Sequence, residues 1–108
     1  MKKVLGEFEE LVLLLVAAQH DTAYGFSIKS TIEEMGRSVN LSNVHTTLYR
    51  LEEKGFVESI MGESSATRGG RRKRNFVITQ TGKIAVKEAK ESRLKLWGEI
   101  PSFVMEGI

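Results

Sequence analysis

From Leu5 to Gln19 the chain reads LGEFEELVLLLVAAQ, a run of helix formers whose first turns carry Glu7, Glu9 and Glu10, acids that suit the positive end of a helix dipole. From Leu11 to Ala18 this first helix is apolar on every face. A helix lying on one small domain shows a single apolar stripe, so the pattern predicts cover from two sides, the domain's own core and a second subunit. Asp21 and Thr22 then break the pattern and are expected to cap a second helix from Ala23 to Met35, with Ile28, Ile32 and Met35 at i, i+4 and i+7 and Gly36 at its end. After the link Arg37-Ser38-Val39, Asn40 or Ser42 caps a third helix that runs to Lys54 and stops at Gly55. Leu41, Val44, Leu48 and Leu51 form its buried stripe, and Asn43, His45, Thr46, Tyr49 and Arg50 occupy the opposite face.

The period then changes. Residues Phe56 to Met61 and Asn75 to Thr79 read as two strands rich in β-branched and aromatic side chains, joined by a glycine- and serine-rich tip from Gly62 to Arg71. Thr79 is placed to cap a last helix from Gln80 to Glu99, which Pro101 follows as a stop. Its apolar positions Val86, Ala89, Leu96, Trp97 and Ile100 form a stripe interrupted by Arg93, less complete than a helix buried within one subunit would carry. The order helix, helix, helix, hairpin, helix is that of a winged helix-turn-helix, an α+β and mainly helical fold. The expected organisation is one domain over residues 1–108, with residues 80–100 as a C-terminal dimerisation helix. Leu5, Phe8, Leu11, Val12 and Leu15 of the first helix, with Ala89, Arg93, Leu96, Trp97 and Ile100 of the last, are read as the dimer interface.

Composition agrees with one globular domain: 108 residues, 41% hydrophobic, 28% charged and a single proline. With no cysteine, disulfides, thiolate metal sites and thiol nucleophiles are excluded. The apolar run of the first helix falls far short of the ~20 residues a spanning helix needs, and the acids before it argue against a signal peptide. A cytoplasmic protein without membrane contact is expected. His20 and His45 lack metal-ligand spacing, and no nucleophile-elbow, zinc-protease, phosphate-loop or dinucleotide motif is present. No catalytic residue, metal or cofactor is expected.

Charge adds more. The net charge is only +2, yet Arg68, Arg71, Arg72, Lys73 and Arg74 put +5 between Ser64 and Arg74 with no acid among them, leaving −3 on the remainder. A polyanion responds to that local density within a ~10 Å screening length. A helix face bearing Ser42, Asn43, His45, Thr46, Tyr49 and Arg50, with no acid before Glu52, suits the donors and acceptors of a major groove. The hairpin cations suit a flanking backbone or minor groove, and Tyr24 and Lys29 are further phosphate contacts. The expected partner is double-stranded DNA. Two rival readings are a winged-helix module docking on an acidic protein and a ligand sensor without specific DNA binding.

Five segments in order, LGEFEELVL from Leu5, Ala23-Tyr24-Gly25, VHTTLYRLEEKGFV from Val44, GGRRKR from Gly69 and Thr79-Gln80-Thr81-Gly82, resemble the PadR family of bacterial transcriptional regulators. The resemblance spans residues 5 to about 98 and implies a homodimeric repressor of a palindromic operator, with half-sites one or two helical turns apart, released by a small hydrophobic effector or another signal. His45 stands where the family motif usually has tyrosine. The length resembles the short subfamily, which implies dimerisation through the first and last helices. Some short members bind flat hydrophobic compounds in an aromatic pore between subunits, which implies an effector pocket among the same interface residues of the first and last helices. Trp97 is the candidate for that role here, and Arg93 stands at the usual pore-tryptophan position.

Overall fold

The structure is a computed structural model that describes residues 5–64 and 72–107, leaving aside the side chains of 62–64 and 72. Its elements are α1 (Glu7–Ala18), α2 (Gly25–Glu34), α3 (Leu41–Glu53), β1 (Val57–Ser64), β2 (Arg72–Ile78) and α4 (Gln80–Glu99), followed by a 3-10 turn at Ser102–Met105. The two strands form an antiparallel hairpin, so the molecule is a winged helix-turn-helix in which α2 and α3 make the turn motif and the hairpin the wing.

α1 runs through the middle of the domain, touched by α2, α3, β2 and α4. That placement explains its all-round apolar character. Val12, Leu13, Leu15 and Val16 are buried among Ile28, Ile32, Val44, Leu48, Leu51 and Phe76, and Leu14 is the large apolar residue of this helix left exposed. One subunit therefore covers more of α1 than a single-stripe expectation allowed, and Val12 and Leu15 belong to its own core rather than to an outer face. Met35 and Leu41, read from the sequence as buried, lie at 61% and 37% exposure because each sits at a helix end beyond the packed layer.

The caps follow the chemistry of short polar side chains, with one correction. Asn40 Oδ1 accepts from the Asn43 N–H at 2.7 Å, and Thr79 Oγ1 accepts from the Gly82 N–H at 3.1 Å. Asp21 and Thr22 do not cap α2. Asp21 makes the turn itself in the left-handed region, at φ 63°, and the Thr22 hydroxyl turns back to donate to the Gln19 carbonyl at 2.7 Å. The α2 start is held instead through Ser27, whose Oγ accepts from the Tyr24 N–H at 2.9 Å and donates to Gln19 Oε1 at 2.6 Å.

The hairpin pairs Val57 with Ile78, Ser59 with Phe76 and Met61 with Arg74, and its register slips between Met61 and Ser64. β2 starts earlier than the sequence pattern suggested, so Arg72, Lys73 and Arg74 are strand residues rather than part of the tip. The wing base is tied to the body by the Phe76 N–H, which donates to the Ala23 carbonyl at 2.8 Å, and by a bridge between Tyr24 and Asn75.

α4 begins against the junction of α3 and β1. Thr79 Oγ1 donates to the Gly55 carbonyl at 2.6 Å, and Gly82 lies so close to the Phe56 carbonyl and Ile78 that a Cβ has no room. Beyond Ala89 every residue from 90 to 99 is exposed, and Arg93 reaches back to Glu10 of α1. Gly82→Ala is expected to lose about 1–3 kcal/mol, because a backbone carbonyl cannot swing aside as a side chain can; denaturant unfolding would measure it.

The far end of α3 is pinned to α1 by Lys54, whose Nζ lies 2.8 Å from both Glu9 carboxylate oxygens. Burial pushes the Glu9 carboxyl upward, but the Lys54 ammonium, the Gly6 N–H and the charge of Arg50 outweigh it and hold the group below its ordinary value. A carboxylate so depressed adds stability above its unfolded pKa and loses it as pH falls through the folded value. Glu9→Gln should therefore cost about 1 kcal/mol near neutrality, and its deficit against the parent should shrink as unfolding is measured at progressively lower pH.

Candidate nucleic-acid interface

Successive α3 residues turn by 100°, which sorts the face opposite the core into three lines. Ser42, Thr46, Tyr49 and Glu53 form the outermost ridge, Asn43 and Arg50 one flank, and His45 and Glu52 the other. The two flanks have different neighbours.

The Asn43 flank is open. With Thr46 and Arg50 it borders a shallow polar notch of about 390 Å³ that also includes Arg37, Ser38 and Asn40. The Arg37 guanidinium lies 5.1 Å from the centre of the Phe8 ring, which seats a cation beside the start of α3. Sequence reasoning treated Arg37 as part of a connecting link; the cue that would have found it is its aromatic neighbour 29 positions earlier, visible only once α1 and α3 are packed.

The His45 flank is occupied. His45 packs on Gly25 at the first turn of α2 so tightly that a Cβ there would collide with the imidazole, and it stacks on Tyr49 at 6.2 Å between ring centres. Tyr49 in turn meets Phe76 of β2 at 6.3 Å. Glu52, on the same flank as His45, turns to the wing and accepts from the Ser59 N–H at 3.1 Å and its hydroxyl at 2.6 Å, while Glu53 stays exposed at the far end of the ridge. The Glu52 charge is thereby spent on joining α3 to β1.

Two wing cations lie on tyrosine rings. The Arg74 guanidinium is 5.6 Å from the ring centre of Tyr49, and the Lys73 ammonium 4.6 Å from that of Tyr24. Alternation along β2 sends these neighbours to opposite faces: Arg74 shares the side of Phe76 toward α3, whereas Lys73 reaches the α2 start. Neither forms an ion pair with a carboxylate among the described residues. Lys29 does, with Glu33 at 2.9 Å. Arg68 and Arg71 lie outside the described residues, as does the side chain of Arg72.

Leu5, Phe8 and Leu11 are half-buried against the core, but Phe8, read from the sequence with the dimer face, lines the notch beside Asn43, Thr46 and Arg50, whereas Leu5 lies toward α4. Ala89 is also half-buried, and Arg93 forms a two-pronged pair with Glu10 at 2.8 and 3.2 Å that ties α4 to α1 within one subunit. That pairing raises the guanidinium pKa above its ordinary value through the hydrogen bond and charge of Glu10. An open groove of about 600 Å³ runs between the two helices past Leu5, Phe56, Ile84, Ala89, Arg93 and Leu96. Leu96 and Trp97 are about 60% exposed, and Ile100 lies beside them. Among the described residues no cluster of His, Asp or Glu is arranged to hold a metal, and no helix is long and apolar enough to cross a membrane.

Residues 12–88 match the model of the transcriptional regulator PadR-like family. Among solved structures, a PadR family transcription regulator from Clostridium difficile R20291 superposes with a TM-score of 0.72 at 24% identity, covering 92% of this chain and 99% of that one. A PadR family transcriptional regulator from Eggerthella lenta gives 0.68 at 17% identity, over 94% and 88% of the two chains. Bacillus subtilis PadR, solved in complex with operator DNA, gives 0.64 at 20% identity over 75% of this chain and 45% of that longer one. These likenesses establish the fold. No curated protein sequence matches the chain.

Proposed function

The chain belongs to the PadR-like family of transcriptional regulators, and from that premise we propose that two copies of it form a repressor of a palindromic operator. In this reading α3 enters the major groove, Asn43 and Thr46 meet base edges, Ser42 and Arg50 meet bases or phosphates, and the cations from Arg68 to Arg74 grip the flanking backbone or minor groove. At the start of α2, Lys73 on the Tyr24 ring adjoins a phosphate. The observation that carries the proposal is the adjacency of a polar α3 ridge and strand-borne cations that no described carboxylate neutralises. That the Bacillus subtilis relative was solved with operator DNA supports it.

Pairing of copies rests on α4. Leu94, Leu96 and Trp97 are each more than half exposed on an arm that its own subunit leaves uncovered, and a second copy gives that surface a partner. A small hydrophobic effector fits the groove between α1 and α4. Wedged there, it shifts α4 against α1 and with it the spacing of the two α3 helices.

With about four phosphates neutralised per subunit, the logarithm of affinity for the selected operator should fall against log salt with a slope of roughly −7 for the dimer; a slope near zero refutes the wing's role. Replacing Arg71 and Arg72 by alanine should weaken binding to all duplexes alike, whereas Asn43→Ala or Thr46→Ala should change which sequence a random pool returns. Sedimentation should find a dimer that Leu96→Glu together with Trp97→Glu converts to a folded monomer, with a loss of operator affinity of at least about 100-fold. A parent chain that sediments as a monomer overturns the paired model.

A further inference from the structure

Both tyrosines of the chain lie at the α2–α3 face, and each lies against a cation of β2. We propose that Tyr24 and Tyr49 are cation-positioning residues, whose rings hold Lys73 and Arg74 at fixed stations while leaving their charge free for a phosphate. The proposal rests on the DNA-binding reading and concerns how that reading is carried out.

The argument is one of electrostatic type. A carboxylate in place of either ring would also hold its cation, but it would cancel the charge and have to be displaced when a phosphate arrived. A ring attracts the cation through its quadrupole and carries no net charge, so the cation keeps its full pull on an anion approaching from the open side. An unheld lysine or arginine loses its rotamer freedom on binding, whereas a stacked one has lost much of it beforehand.

The surroundings fix the rings themselves. Tyr49 is wedged between His45 and Phe76, and His45 is backed by Gly25. The Tyr24 backbone, from which its ring projects, is set by the bridge to Asn75 and by its N–H bond to Ser27. Glu52, the acid of this flank, is committed to Ser59. The His45 and Tyr49 side of α3 therefore acts on DNA through the wing, and the open residues Ser42, Asn43 and Thr46 are left for the bases.

The first test needs no DNA. In proton NMR spectra of the free dimer, the side-chain methylenes next to the charged groups of Lys73 and Arg74 should be displaced upfield by ring currents. Tyr24→Leu should abolish the Lys73 displacement and Tyr24→Phe keep it, with the same pattern for Arg74 and Tyr49. The second test uses the operator recovered from a random duplex pool. Each leucine variant should bind about five- to thirty-fold more weakly and each phenylalanine variant within about two-fold of the parent. The recovered sequence and the salt slope should not change. Lys73→Ala should instead lower the slope by about 2 for the dimer, and adding Tyr24→Leu to it should cost nothing further. Phenylalanine variants as weak as the leucine ones, additive losses in the double variant, or absent ring-current displacements would each overturn the proposal. If the pool returns no sequence at all, the DNA-binding reading falls and this proposal with it; if operator binding stands while these outcomes fail, only the proposal falls.

Discussion

The structure depends on how the wing is fastened at its foot. Phe76 gives its N–H to Ala23 on one side, and Ser59 gives its N–H and hydroxyl to Glu52 on the other. A two-stranded hairpin alone is marginal in water. These bonds join it to the segment before α2 and to the last turns of α3, and burial of Phe76 and Val57 in the helical core adds the apolar anchor. Wing and helix-turn-helix then move as one body. Without that attachment the cations of β2 would have no defined relation to the polar ridge of α3.

Much of this was legible in the chain. The apolar spacing of Val44, Leu48 and Leu51 set the buried side of α3, and Asn40 and Thr79 cap as short polar residues before apolar runs do. These features are local, and local spacing suffices for them. What escaped was decided by partners far away in sequence. Asp21 and Thr22 have cap-like side chains, yet Gln19 and Ser27 take over because the end of α1 lies beside the start of α2. His45 counts as an outward residue by angle alone, and its covering by Gly25 depends on how α2 crosses α3.

The wing cations illustrate the same limit. Their number and the lack of acids among them are matters of composition, whereas their seats on Tyr24 and Tyr49 follow from the β2 register, which no pattern in the glycine-rich segment specifies. In α4 the interrupted stripe correctly signalled a helix only partly covered by its own domain. Arg93 breaks that stripe because it reaches back to Glu10.

The close seat of Gly82 on the Phe56 carbonyl, with Thr79 bonded to Gly55, makes the start of α4 a pivot at the spot where α3 ends and the wing begins, with the Arg93–Glu10 pair as the tie farther along it. A helix of its 20 residues is about 30 Å long, so a tilt of about 10° sweeps its free tip through about 5 Å. That exceeds the roughly 3.4 Å rise between neighbouring bases. A slight angular adjustment at the pivot is thus amplified at the tip into a displacement longer than one step of the double helix.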